Sequence, residues 1–219
     1  MKNTKLSLTI VAAFAVVVAT LLVIDRSTGA PADAAPPVTG GTGATVRQDT
    51  HTLTTAADGK VTLVEFLDFE CEACLAMYPT MERIRAEYDR RITFAVRYFP
   101  IPSHPNAELA ARAVEAAAAQ GQFEAMYQQM YETQTSWGHQ QASQEETFVG
   151  FAEELGLDVE QFRADLNDPA TAERVAADQA DGIEFGVQGT PTLFLNGRML
   201  PSMPSYEELT AAIDAALAA

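Results

Sequence analysis

Cys71 and Cys74 are the only cysteines among 219 residues, and two residues separate them. A disulfide framework that cross-links distant segments uses several cysteines spread along the chain, which this spacing cannot supply. The pair therefore reads as chemistry. The thiolate is the attacking species in thiol–disulfide exchange, and a cysteine at a helix N-terminus is acidified because free amides and the helix dipole stabilise the anion. Cys71, directly after an apolar run, takes that position. Cys74 lies one turn further on and can close a disulfide back onto it. In this reading Cys71 forms a mixed disulfide with a substrate sulfur and Cys74 resolves it. Spacing alone leaves two rivals open. One is half of a zinc site, although no second pair exists and His51, His104 and His139 lack metal-ligand spacing, so no metal is expected. The other is an inert disulfide, although closing so short a loop gains little stability.

The elements that must position this pair follow from periodicity. Val61 to Phe69 is short and apolar, comes after the turn signal Asp58-Gly59, and predicts a strand buried on both faces. Leu75, Tyr78, Met81, Ile84 and Tyr88 recur at spacings of three and four and predict a helix, kinked at Pro79. Ile92 to Phe99 is a second strand, closed by Pro100-Ile101-Pro102, so strand, helix and strand make a β-α-β unit. The middle is helical. Asn106 is placed to cap a helix to about Gln120, and another runs from Gln122 to Gln134. Ser143-Gln144-Glu145-Glu146 has the capping-box form before Phe148 to Leu155. Asp158 opens a short helix, and Asp168-Pro169 opens one to about Asp181. The chain then returns to strand at Pro191 to Leu195, turns at Asn196-Gly197, and continues through Arg198 to Leu200 into a helix from about Tyr206 to Leu217. The fold class is α/β, a β-α-β half and a β-β-α half with an all-helical insertion at about 105–182.

The formal charge of -16 would repel phosphate backbones, so no nucleic-acid partner is expected. Leu6 to Ile24 carries no charge, is interrupted only by Ser7, Thr9 and Thr20, and is preceded by Lys2 and Lys5. A helix needs about 20 apolar residues to span a bilayer, and the lysines keep the N-terminus inside and send the body of the chain outward. Residues 1–26 are read as a single-pass signal-anchor in the cell membrane, with the body extracytoplasmic. The rival is a cleaved signal peptide, cut near Ala32-Asp33-Ala34, and a secreted body. Residues 27–48, rich in Ala, Pro, Gly and Thr, are read as a flexible linker, and 49–219 as the folded domain, starting near Val46 to Thr50.

Glu65-Phe66-Leu67-Asp68-Phe69-Glu70-Cys71-Glu72-Ala73-Cys74, with Pro79 after it and Gly189-Thr190-Pro191-Thr192 near the end, resembles the thioredoxin superfamily. The helical insertion, His104-Pro105-Asn106-Ala107 and Gly121-Gln122-Phe123 are similar to the DsbA family, in particular its membrane-anchored or secreted members in Gram-positive bacteria. The resemblance implies a thioredoxin-like fold over roughly residues 50–217 and a thiol-disulfide oxidoreductase with no cofactor beyond the Cys71-Cys74 disulfide. It implies a cis Pro191 beside the cysteines, with Thr190 offering its backbone to an extended substrate; an ordinary trans proline opening a strand is the alternative. It places a buried acid at Glu65, whose raised pKa would let it take the Cys74 proton; a surface-facing Glu65 is the alternative. DsbA oxidases usually carry Pro-His where this chain has Glu72-Ala73. Glu70 and Glu72 would put negative charge beside Cys71, so a less acidic thiol and a less oxidising disulfide are expected.

His104 is expected to brace its loop, and Trp137 and Met126 to pack within the insertion. The partners the family implies are exported proteins with cysteine pairs, and a regenerating membrane oxidase of the DsbB or vitamin-K-epoxide-reductase type. Two alternatives to an oxidase remain. They are a reductase or cytochrome-maturation thioredoxin of the same fold, and a non-catalytic chaperone or binding module for unfolded exported chains.

Overall fold

The computed structural model describes residues 45–219 apart from Ser202. The expected membrane span and all but the end of the linker lie outside these residues. Among the described residues no helix is long and apolar enough to cross a membrane.

β2 (Thr62–Leu67) and β3 (Thr93–Tyr98) form the centre of a five-stranded sheet. They run parallel, Thr62 opposite Thr93 and Leu67 opposite Tyr98. A parallel pair needs a crossover, and α1 (Glu72–Glu87) supplies it, continuing through Pro79 as one helix. β4 (Thr192–Leu195) pairs antiparallel with β2, and β5 (Arg198–Met199) pairs with β4 across the Asn196-Gly197 turn. Both turn residues have positive φ, 49° and 76°, as a tight hairpin turn of this type demands. Asn196 Oδ1 accepts from the Thr62 amide at 2.8 Å, which ties the turn to the start of β2.

β1 (His51–Thr54) closes the far edge, antiparallel to β3. Periodicity gave no sign of it, because four half-exposed residues His-Thr-Leu-Thr carry no apolar alternation.

The insertion is α2 (Ala107–Ala119), α3 (Phe123–Trp137), α4 (Glu145–Glu154), α5 (Val159–Leu166) and α6 (Pro169–Glu184), and α7 (Tyr206–Ala218) ends the chain. Asp158 and Asp168 cap their helices as expected, through the amides of Gln161 and Ala170. Two starts differ. Asn106 precedes α2 without capping it, because its side chain bridges the carbonyls of Gln140 and Ala142 and the amide of Gln144. α4 begins after Gln144 rather than through a Ser143 capping box; the reciprocal box is at Ser205 and Glu208, opening α7.

Strand alternation splits the core in two. Leu63, Leu67, Phe94, Val96, Tyr98, Leu193 and Leu195 join α1, α7 and the insertion in one large apolar cluster. Val64, Phe66, Ala95 and Phe194 build a smaller one with Phe99 and Val187 on the other face. Arg97 is fully buried on this second face. Its guanidinium donates to Asp178 Oδ1 and Asp181 Oδ2, each at 2.6 Å, and to the Thr45 carbonyl at 2.9 Å. Among the described residues, contact with the body is already made at Thr45, slightly ahead of the expected start of the domain.

Candidate active site

β2 ends at Leu67, and the chain turns through Asp68 to Cys71 before α1 begins. The turn is fixed by hydrogen bonds from three directions. The buried Asp68 carboxylate accepts from the amides of Glu70 at 2.7 Å and Ile101 at 2.9 Å, and lies 2.6 Å from His104 Nδ1. Gln134, from α3, donates Nε2 to the carbonyls of Phe69 at 2.7 Å and Cys71 at 3.1 Å. Cys71 is the residue preceding the first turn of α1, with extended backbone, and its carbonyl accepts from Leu75.

Both cysteines are free thiols, Cys71 8% exposed and Cys74 1%. Cys71 Sγ donates to the Thr190 carbonyl at 3.4 Å, and the Thr190–Pro191 peptide bond is cis. The Thr190 hydroxyl is buried beside it without a partner among the described residues. An ionised Cys71 can no longer donate to a carbonyl, so this hydroxyl is the donor at hand for the thiolate.

The two thiols are driven apart. Cys71 falls from 9.0 to about 5, chiefly because Cys74 hydrogen-bonds to its thiolate, with Thr190 and the backbone amides of Cys74 and Ala73 adding to that against the opposing effect of burial. Cys74 is pushed well above 9.0, first by burial, then by its bond to Cys71 and the charge of Glu65. The amides at the helix start act as expected of a thiolate at that position.

Glu65 stands on β2 opposite Leu193, facing the larger core, 2% exposed, and its Oε2 has no partner among the described residues. Burial, and secondarily the charge of Glu82, raises its pKa from 4.5 to about 8. Cys74, Glu65, Cys71, Thr190 and Pro191 are thus brought together at one end of the sheet.

Glu70 and Glu72 do not act as their sequence positions suggested. Glu70 is fully buried, and its two oxygens accept from the amides of Asn106 at 2.6 Å and His139 at 2.7 Å. It ties the active-site turn to both ends of the insertion's first helical pair. Glu72 points outward and pairs with His139 Nε2 at 2.9 Å. Neither carboxylate is among the principal influences on the Cys71 thiol. An exposed charge is screened by solvent, and the dipoles of two donating amides oppose the field of a buried one.

The thioredoxin family profile matches residues 48–215. The chain belongs to the thioredoxin family. Among solved structures it is similar to a thioredoxin-like oxidoreductase from Silicibacter pomeroyi, with 27% identity and a TM-score of 0.66, covering 79% of this chain and 95% of that one. It superposes on Wolbachia pipientis alpha-DsbA1 with a TM-score of 0.71 at 15% identity, covering 79% and 93%. This thioredoxin-family chain therefore has DsbA-like architecture. A curated relative, the Na(+)/H(+) antiporter NhaA of Herminiimonas arsenicoxydans, is 39% identical over 158 residues. That match takes in 72% of this chain but 24% of the relative, so the chain spans about a quarter of its length.

Sequence reasoning missed Gln134, Asp68 and His139 as parts of this thioredoxin-family site. A glutamine in mid-helix and a histidine in a loop carry no signal of what they will touch. Asp68 did carry one, since a carboxylate inside a run that must be buried needs donors.

Proposed function

We propose that the protein is an extracytoplasmic oxidase that introduces disulfides into exported polypeptides, using the Cys71-Cys74 disulfide as its redox group. The observation that carries this reading is the asymmetry of the two thiols. A Cys71 thiolate stabilised to a pKa of about 5 stabilises the reduced state, and that makes the disulfide a good oxidant. In the oxidising step a substrate thiolate attacks the Cys71 sulfur. Cys74 leaves with the electron pair and takes a proton from the Glu65 carboxyl. A second substrate thiolate then attacks the substrate sulfur of the mixed disulfide and releases Cys71 as the thiolate. The substrate gains a disulfide and the enzyme is left as the dithiol.

An extended substrate would add to the cis-proline loop through the Thr190 backbone. A groove of about 460 Å³ runs beside that loop, lined by Gln188, Gly189, Thr190, Pro191 and Met199. The dithiol would be returned to the disulfide by a membrane oxidase of the DsbB or vitamin-K-epoxide-reductase type. The uncharged run from Leu6 to Ile24 supports a membrane location with the domain outside.

Equilibrating the pair against glutathione tests the direction. An oxidase is expected above about -200 mV, while a potential near about -270 mV, the value of a cytosolic thioredoxin, makes the protein a reductase. Cys71→Ala separates both from a chaperone, since only a chaperone would keep suppressing aggregation with no thiol at that position. A second reading is favoured by the antiporter relatives, in which the matching region is a minor part of a longer chain. In it the domain's dithiol acts on a membrane transporter rather than on exported clients, and trapping mixed disulfides with Cys74→Ala distinguishes the two.

A further inference from the structure

The buried Glu65 must exchange its proton with solvent once per cycle, yet it is 2% exposed and its Oε2 has no hydrogen-bond partner among the described residues. This requirement rests on the reading of Glu65 as the proton partner of Cys74. On α1, Cys74, Tyr78 and Glu82 recur at intervals of four and Arg85 comes three later, so they form one stripe along the helix. The stripe faces α3, where Tyr127 and Tyr131 form the opposite wall. The Tyr78 ring lies 5.0 Å from the Tyr131 ring and 5.7 Å from the Tyr127 ring, and those two rings lie 5.3 Å apart. The Tyr131 hydroxyl is buried without a partner among the described residues.

At the outer end of this seam Glu82 has two unlike oxygens. Oε2 accepts from Arg85 at 2.7 Å, and Arg85 also pairs with Glu124 on α3. Oε1 is buried and, among the described residues, unpartnered, like Oε2 of Glu65. The Glu82 side chain is 23% exposed, so it reaches from the seam to the surface. Glu82 is also the charge that acts on Glu65 most strongly, while Tyr127 feels both acids and Tyr131 feels Glu65 and Cys74. Glu132 on α3 acts on Tyr78 at the same seam.

We propose that Glu82 is the proton outlet of Glu65, connecting the buried acid to solvent through the seam between α1 and α3. When Cys74 attacks the Cys71 sulfur of a mixed disulfide, the Cys71-Cys74 bond forms and the partner sulfur leaves with the electron pair. The Cys74 proton passes to the Glu65 carboxylate, and from there to Oε1 of Glu82 and out past Arg85. Glu82 touches neither substrate nor sulfur and is a positioning residue for the proton.

The test uses the full chain with Cys71 pre-loaded as its glutathione mixed disulfide, and monitors glutathione release by stopped flow from about pH 5 to 10, a range that brackets the Glu65 value of about 8. In the parent protein the rate should rise with pH to a plateau as Glu65 ionises. Glu82→Gln is expected to lower the plateau about tenfold, on the scale of losing one proton-transfer group. It should make the plateau rate depend on added imidazole, which replaces the outlet, and move the midpoint to lower pH because a negative charge has gone. Arg85→Gln, which removes the ion pair but keeps the carboxylate, should stay within about twofold of the parent. Glu82→Asp should recover part of the plateau, and it serves as the test variant if Glu82→Gln fails to fold. A lower midpoint with an unchanged plateau would make Glu82 a charge and nothing more, and overturns the proposal. So does a plateau lost equally in Arg85→Gln. Glu65→Gln is run beside them: if it leaves the rate intact, the reading of Glu65 itself fails, whereas a slow Glu65→Gln with a normal Glu82→Gln sinks the outlet alone.

Discussion

At Cys71 the decisive neighbours are hydrogen-bond donors rather than charges. The carboxylates of Glu70 and Glu72 stand next to it in sequence, but one is consumed by two backbone amides and the other by His139. Titrating the thiolate ultraviolet absorbance of the reduced protein should give a midpoint near the value of about 5. Thr190→Val keeps the shape and removes the unpartnered hydroxyl, and should raise that midpoint by roughly one unit. A midpoint unmoved by the valine would show that the hydroxyl takes no part. Because the folded value lies below 9.0, the thiolate stabilises the reduced fold fully above that pH, and the contribution is lost as pH falls through about 5. Glu65 has the opposite sign. Its folded value, about 8, lies above 4.5, so its contribution is complete below pH 4.5 and is lost as pH rises through about 8. Urea denaturation of Glu65→Gln and parent should therefore agree at pH 4.5 and diverge above it. The variant is expected to be more stable by about 4 kcal/mol near pH ~8. Parallel curves across that range would mean the carboxyl is solvated.

At the scale of elements, the site depends on how closely the second face of the sheet is covered. α6 lies against β3 with Arg97 buried between them, and it leads directly into the cis-proline loop. The approach is close at Gly182. A Cβ there would meet Phe99 Cδ2 at 2.6 Å, Phe99 Cε2 at 2.9 Å and Phe66 Cδ1 at 3.1 Å. Gly182→Ala should then cost about 1–3 kcal/mol in urea denaturation, since two packed rings must move. A neutral or stabilising result, as expected for alanine in an open helix, would show that the rings yield freely. The insertion is joined to the active-site turn by polar contacts as well as by packing. Gln134 and Glu70 reach across it, and His139 adopts a φ of 58° where its amide meets Glu70. Element types and order were legible in sequence from apolar periodicity and from caps such as Asp158 and Asp168-Pro169. β1 was not, because an edge strand half open to solvent needs no apolar pattern. Asn106 was assigned the wrong partner, because a cap and a loop bridge use the same side chain.

For the whole molecule, the charge of -16 bears on which substrates arrive first. The field of an acidic body raises encounter rates for cationic partners and lowers them for anionic ones, and salt screens both. Reaction with a thiol peptide flanked by lysines should slow several-fold between about 10 and 150 mM salt, while a glutamate-flanked peptide should speed up. Equal salt slopes for the two peptides would remove electrostatic selection from the account.

The sequence by itself determined the thioredoxin-like order of elements and the dithiol, and through the family resemblance it implied that Thr190-Pro191 stands beside that dithiol. These rest on local periodicity, on the spacing of like residues and on a motif, all of which are written along the chain. The tertiary structure decided which way the polar groups face. It turned Glu70 from a charge on the thiol into a brace, gave His139 to Glu72, and placed Gln134 on the active-site backbone. A buried polar atom must find a partner wherever the fold provides one, and the residues that supply it here lie 36 to 69 positions away in the chain.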